Sequence, residues 1–229
     1  MFLRQFILFA TVLVITNSQD IEILSNALDS VNTPIKVIEA DFIFIKEKIT
    51  VQVNVPSLKL YYESLCPDCI EFDSTQFKNV VELLHQYVDI HTYPYGNART
   101  VKHGNNTVVI CQHGPEECYG NKLHACALDI IANGTEALLF NACMMAQRSN
   151  DTSADNCGER MNIKVDSIKE CAKSQKGTDL LVHYGEESKK VGFGYVPYVL
   201  LNGVEWQGNN LLSDLCATFK NPPEPCRSK

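Results

Sequence analysis

Apolar residues follow three patterns along the chain, and each predicts a different element. A short dense run, "LKLYYE" at 58–63, is rich in residues that favour extended backbone and predicts a β-strand. Helical spacing follows: Ile70, Phe77, Val80, Val81, Leu84 and Val88 predict an amphipathic helix over 67–86. "VDIHTYPYG" at 88–96 then predicts a second strand that ends in a Pro/Gly turn. These three elements form a β-α-β unit.

The pattern changes from about 97 to 190. "NKLHACALDIIANGTEALLFNACMMAQ" and "VDSIKECAKS" read as mainly helical, interrupted at Gly134. Strand-like runs return in "GYVPYVLLNGVEWQ" at 194–207, where Asn202-Gly203 is a dipeptide that tight hairpins prefer. "NLLSDLCATFK" at 210–220 predicts a short helix, and residues 221–229 form an irregular tail. No internal repeat is visible. The order β-α-β, helical insert, β-β-α predicts an α/β fold: a thioredoxin-like core over 57–226, with the insert at about 97–190.

The N-terminal residues follow a different logic. Arg4 precedes an uncharged apolar run from Phe6 to Ile15, too short to span a bilayer. Residues 1–18 therefore read as a signal peptide, with a buried N-terminal helix or strand as the alternative. Residues 19–56 read as an N-terminal extension or pro-segment to which no chemistry attaches. No later stretch reaches the length of a transmembrane helix.

Composition narrows the partners. The chain has 45% hydrophobic and 21% charged residues, with a net charge of −7, and shows no basic patch. This argues against nucleic acid as a partner. Ten cysteines on an exported route point to an oxidising environment and a disulfide framework. Sequons at Asn105, Asn133 and Asn150 make that span a candidate for surface glycans.

Cys66 and Cys69 carry the candidate chemistry. A dithiol at i, i+3 where a strand gives way to a helix puts the first sulfur among unpaired N–H groups and partial positive charge. A thiolate is stabilised there. Cys66 would attack a substrate disulfide, and Cys69 would resolve the mixed disulfide. Pro67 suits the first helical position. Asp68 suits the helix dipole but opposes a neighbouring thiolate. The competing readings are a structural Cys66–Cys69 disulfide and a zinc site, and the latter lacks a second Cys-x-x-Cys. Pro197, just before "YVLLNG", is a candidate cis-proline beside the dithiol, where it would leave backbone groups for an extended substrate. An ordinary proline at a strand's first residue is the alternative.

"CQHGPEECYGNKLHAC" at 111–126 resembles the signature C-Q-H-G-x-x-E-C-x-x-N-x-x-x-x-C of the gamma-interferon-inducible lysosomal thiol reductase family. Every fixed position matches: Cys111, Gln112, His113, Gly114, Glu117, Cys118, Asn121 and Cys126. "LYYESLCPDC", "YPYGNA" and "YVPYVLLNG" are also similar to family blocks, in family order. The resemblance covers about 57–226; its Pro-Asp filling is one of several in the family.

The resemblance implies a thioredoxin-like fold with a helical, disulfide-bonded insert. It implies a soluble glycoprotein that reduces protein disulfides in acidic endosomes and lysosomes, with family roles in antigen processing and host defence. Cys66 and Cys69 would carry the dithiol role, with Pro197 facing them. No cofactor is expected beyond the dithiol. The expected partners are disulfide-containing protein substrates and a small thiol reductant.

His113 is a candidate proton donor or pH sensor. The plainer reading gives Gln112, His113 and Asn121 loop-holding hydrogen bonds. The remaining cysteines, Cys111, Cys118, Cys126, Cys143, Cys157, Cys171, Cys216 and Cys226, are expected to be structural. Cys216–Cys226 would be a local staple, and the six insert cysteines would pair among themselves. Two other functions stay open at this point. One is an endoplasmic-reticulum oxidase or isomerase, which the end "PCRSK" disfavours for want of a retention signal. The other is a secreted cysteine-rich binding glycoprotein.

Overall fold

The computed structural model describes residues 55–104 and 106–227. The expected signal peptide, most of the expected extension and Asn105 lie outside them. β1 (Ser57–Tyr62) is the buried centre of a four-stranded sheet. It pairs in parallel with β2 (Asp89–Pro94) and antiparallel with β5 (Tyr198–Leu201), which pairs with β6 (Val204–Glu205). The strand order is β2-β1-β5-β6.

A parallel neighbour needs a crossover, and the predicted helix supplies it. α1 (Pro67–Phe72) runs through a π-turn (Asp73–Phe77) into α2 (Lys78–Leu84) with right-handed helical backbone at each junction. Ser74 and Thr75 donate hydroxyl hydrogen bonds to the carbonyls of Ile70 and Glu71 at 2.6 and 2.5 Å, which competes with regular helix pairing. Phe77, Val80, Val81 and Leu84 face the sheet and pack with Leu58 and Leu60. α8 (Leu211–Ala217) completes this core with Leu211 and Leu215. Between β5 and β6, Asn202 (φ 51°) and Gly203 (φ 80°) are both left-handed, the conformation that their dipeptide favours in a tight hairpin.

The insert at 97–190 is mainly helical, as its periodicity predicts, with one addition. It opens with a hairpin, β3 (Arg99–His103) and β4 (Asn106–Ile110). Helices follow: α3 (Pro115–Ile130), α4 (Gly134–Met145), α5 (Asp151–Met161), α6 (Asp166–Lys173) and α7 (Gln175–Val191). They bury a second cluster around Leu123, Ala127, Phe140, Met144, Ala154 and Ile168. The strand reading of 194–207 is also trimmed, because residues 194–197 form a loop ending in the cis Val196–Pro197 peptide. Among the described residues, no helix is long and apolar enough to cross a membrane.

Candidate active site

Cys66 and Cys69 are the free cysteines among the described residues. Cys66 is the N-cap of α1: its extended backbone (φ −64°, ψ 122°) ends the strand run, and Pro67 starts the helix without needing a donor. The Cys66 sulfur accepts the Cys69 main-chain N–H at 3.4 Å. On its other side it lies 4.0 Å from the carbonyl oxygen of Val196, the residue before cis-Pro197. Cys66 is 7% exposed and Cys69 fully buried. Burial, followed by the hydrogen bond with Cys66, pushes the Cys69 thiol far up, so it stays protonated. The two sulfurs thus have different environments. One caps a helix and keeps a trace of exposure, and the other is a sealed neutral thiol.

The segment between β1 and the dithiol is clamped by the signature residues. Ser64 N–H donates to Asn121 Oδ1 at 2.9 Å, and its hydroxyl donates to the Glu117 carbonyl at 3.1 Å. Glu117 is buried; its carboxylate accepts the His113 main-chain N–H at 3.0 Å and meets His113 Nδ1 at 2.5 Å. The buried Glu63 carboxylate lies 3.3 Å from the same imidazole nitrogen through Oε2, which has no hydrogen bond of its own. Its Oε1 accepts the Asn97 N–H at 2.5 Å. Asn97 in turn donates to Gln112 Oε1 at 3.0 Å. Gly96 (φ 57°) fits this corner because a Cβ there would fall 2.2 Å from Glu63 Cγ. Burial pushes the Glu63 carboxyl up to about 7, although the Asn97 amide and the His113 imidazole oppose the rise.

Glu63, His113 and Glu117 bring ligand-type atoms within 4.8 Å of one another. The His113 imidazole already lies between the two carboxylates, which accounts for the cluster, and we assign no metal to it. Deeper in, Tyr62 OH meets His124 Nδ1 at 2.7 Å and His124 Nε2 meets Ser149 Oγ at 2.8 Å. Burial holds His124 down to about 3, so it is neutral. Asp73, in the π-turn, is buried with Oδ1 unpartnered, and burial pushes its carboxyl up to about 8.

The scan against family models matches residues 57–161 to gamma interferon inducible lysosomal thiol reductase (GILT). GILT-like protein 2 of Drosophila melanogaster is 39% identical over 155 residues, covering 67% of this chain and 72% of that protein. The gamma-interferon-inducible lysosomal thiol reductase-like protein of Anopheles gambiae is 31% identical over 153 residues, covering 61% and 63%. The chain belongs to the gamma interferon inducible lysosomal thiol reductase family. Membership brings thiol–disulfide oxidoreductase chemistry to this chain. Among solved structures, the reduced disulfide bond oxidoreductase DsbG of Mycobacterium tuberculosis superposes with a TM-score of 0.54 at 14% identity, covering 74% of this chain and 81% of that one. That likeness shows the thioredoxin-like fold.

Within this GILT-family chain, the other cysteines pair as Cys111–Cys118, Cys126–Cys171, Cys143–Cys157 and Cys216–Cys226. The first closes the signature loop, and the next two cross the helical insert. Asn133 and Asn150 are exposed and cap α4 and α5 through their side-chain oxygens. A cavity of about 610 Å3 lined by His85, His91, His183 and Glu187 among others includes neither sulfur of the dithiol. Sequence reasoning missed Glu63, Ser64, Asp73 and His124. A partial signal existed for Glu63: an acid directly follows the apolar strand run and stands three residues before the dithiol.

Proposed function

We propose that this protein reduces disulfide bonds in protein substrates within an acidic endosomal or lysosomal compartment. Cys66 thiolate attacks one sulfur of the substrate disulfide. A Cys66–substrate bond forms, and the other substrate sulfur leaves with the electron pair and takes a proton. Cys69 then loses its proton, attacks Cys66 and releases the second substrate thiol. Two electrons have passed to the substrate and the pair ends as a disulfide, which a small thiol donor must reduce again. Pro197 and Val196 line the place where substrate backbone would lie.

The observation that carries this reading is the asymmetry of the two sulfurs: Cys66 caps α1 against the Val196 carbonyl, and Cys69 is sealed behind it. The acidic setting is supported by Glu63 and Asp73, whose buried carboxyls favour the protonated form. Asn133 and Asn150, as exposed helix caps, are the proposed glycan acceptors.

The test uses a denatured disulfide-bonded protein as substrate. Reduction at about pH 5, an acidity taken from endosomal switches, should exceed that at pH 7. Cys69→Ser should accumulate a covalent Cys66–substrate adduct visible on a non-reducing gel. Faster turnover at pH 7 overturns the acidic assignment; no adduct overturns the roles of the two cysteines.

A further inference from the structure

We propose that the rim around Cys66 is a selective docking surface for an extended polypeptide whose disulfide cysteine is flanked by an aromatic residue and by a lysine or arginine. This rests on the reading of Cys66 as the attacking sulfur and adds the class of substrate it prefers.

The aromatic half begins beside the residue that faces the sulfur. Val196 O lies 4.0 Å from Cys66 Sγ, and its neighbour Tyr195 is 52% exposed. The Tyr195 ring meets Tyr198 edge-on at 5.6 Å, and Tyr198 stacks on Phe193 at 5.1 Å. Tyr61 closes the platform from below, 5.1 Å from Phe193. The rings are held in advance: Tyr195 OH donates to Glu205 Oε1 at 2.5 Å and Tyr198 OH to Glu205 Oε2 at 3.5 Å. Rigid aromatic surface loses little entropy on binding. A chain that delivers its sulfur to Cys66 must pass Val196, which brings the side chain next to that sulfur towards Tyr195, the exposed end of this aromatic set.

The electrostatic half comes from the segments that form the rim. Residues 63–77 and 192–219 contain no Lys or Arg. They do carry Asp68 and Glu71, exposed in α1, and Glu205 beneath Tyr195. Hydrogen bonds from Gln207 and then Tyr195 hold the Glu205 carboxyl below its usual value, so it stays ionised in mild acid. A cation beside the substrate sulfur would find the Asp68 and Glu71 carboxylates on α1 and, past Val196, Glu205 with its aromatic neighbours. An acidic flank meets like charge from these three carboxylates.

The test uses synthetic peptides with one cysteine capped as a mixed disulfide with a small neutral thiol. The flanking positions hold Tyr or Ser on one side and Lys or Glu on the other. At low salt, kcat/KM for the Tyr/Lys peptide should exceed that for the Ser/Glu peptide by at least about tenfold. The Lys-over-Glu ratio should collapse towards one near 1 M salt, where screening acts within about 3 Å. Asp68→Asn combined with Glu205→Gln should abolish the Lys-over-Glu ratio, and Tyr195→Ser the Tyr-over-Ser ratio. A merely structural role would slow all peptides alike and leave the ratios standing, which would overturn the proposal. Ratios near one in the native protein at low salt would also overturn it, with no variant needed. If neither the peptides nor a small neutral disulfide reacts, the reading of Cys66 falls and this surface with it.

Discussion

Helices α1 and α3 begin in the same way. Each follows a strand by a few residues, and each has proline at its first position, Pro67 and Pro115. Acidic residues occupy both first turns, Asp68 in α1 and Glu116 and Glu117 in α3, and each start is bracketed by two cysteines. At α1 the cap is Cys66 itself, and its free sulfur lies 4.0 Å from Val196 O. At α3 the cap is Gly114 at φ 90°, and Cys118 is bonded back to Cys111 with the two Cα atoms 5.5 Å apart. Spacing makes the difference. Two intervening residues leave the sulfurs one turn apart at a helix start, whereas six let the chain fold back and close a loop. The closed loop then holds His113, Glu117 and Asn121 against Glu63 and Ser64, beside the open one. One helix start keeps its cysteines free, and the other is locked.

The sharpest way to break this comparison is to remove each sulfur in turn. Cys66→Ser should cost at least about 10^3-fold in turnover with a disulfide substrate, because no nucleophile remains. Comparable loss from Cys118→Ser alone, with the fold intact by circular dichroism, would show that the two starts had been assigned the wrong way round.

The two regions also differ in how they treat a buried acid. Glu117 is bridged by His113, whereas Asp73 has an unpartnered oxygen. The Asp73 carboxyl moves from an ordinary 3.8 to about 8 on folding. Between those pH values the folded state holds a proton that the unfolded chain lacks, so stability falls as pH rises across the window. Glu63 acts in the same direction up to about 7. His124 acts oppositely: its neutral form is favoured by folding, so its contribution is lost as pH falls below about 6.5 towards 3. Asp73→Asn should therefore raise neutral-pH stability by about 3 kcal/mol and flatten the decline between pH 4 and 8, measured by urea unfolding. An unchanged pH profile would remove Asp73 from the account.

Opening the lock costs less. Replacing Cys111 and Cys118 together by alanine should lose about 2.5 kcal/mol, the loop entropy of a short closed loop. Smallest is Asn121→Ala, which strips the Ser64 N–H of its acceptor and should cost about 1–2 kcal/mol. Its diagnostic sign is selectivity: iodoacetamide should reach Cys69 faster in the variant, because the clamp over that segment has loosened. Equal rates with equal stability would mean that Asn121 clamps nothing.

Much of this was readable from residues. The strand at β1, the helix that starts inside the cysteine pair, the Asn202-Gly203 hairpin and α8 all follow from local periodicity and turn chemistry, which act over a few residues. The β3–β4 hairpin was not seen. Thr100, Val101, Thr107, Val108 and Val109 favour extended backbone, but they lie in a span whose larger apolar runs are helical. The signature could be recognised, yet its task could not. Glu63 and Glu117 are 54 positions apart in the sequence, and only folding puts one imidazole between their carboxylates. Asp73 and His124 were invisible for the same reason: burial depends on tertiary packing, and a helical periodicity does not forbid an acid on the inner face.

The central claim is that Cys66–Cys69 is the working pair and Cys111–Cys118 a staple beside it. The most direct measurement is graded reduction of the native protein, starting from the oxidised form, followed by alkylation and peptide mapping. The account predicts label at Cys66 and Cys69 at low reductant, with Cys111 and Cys118 unlabelled until the protein unfolds. Label at Cys111 and Cys118 at the same reductant concentration, or before the Cys66–Cys69 pair, would contradict it.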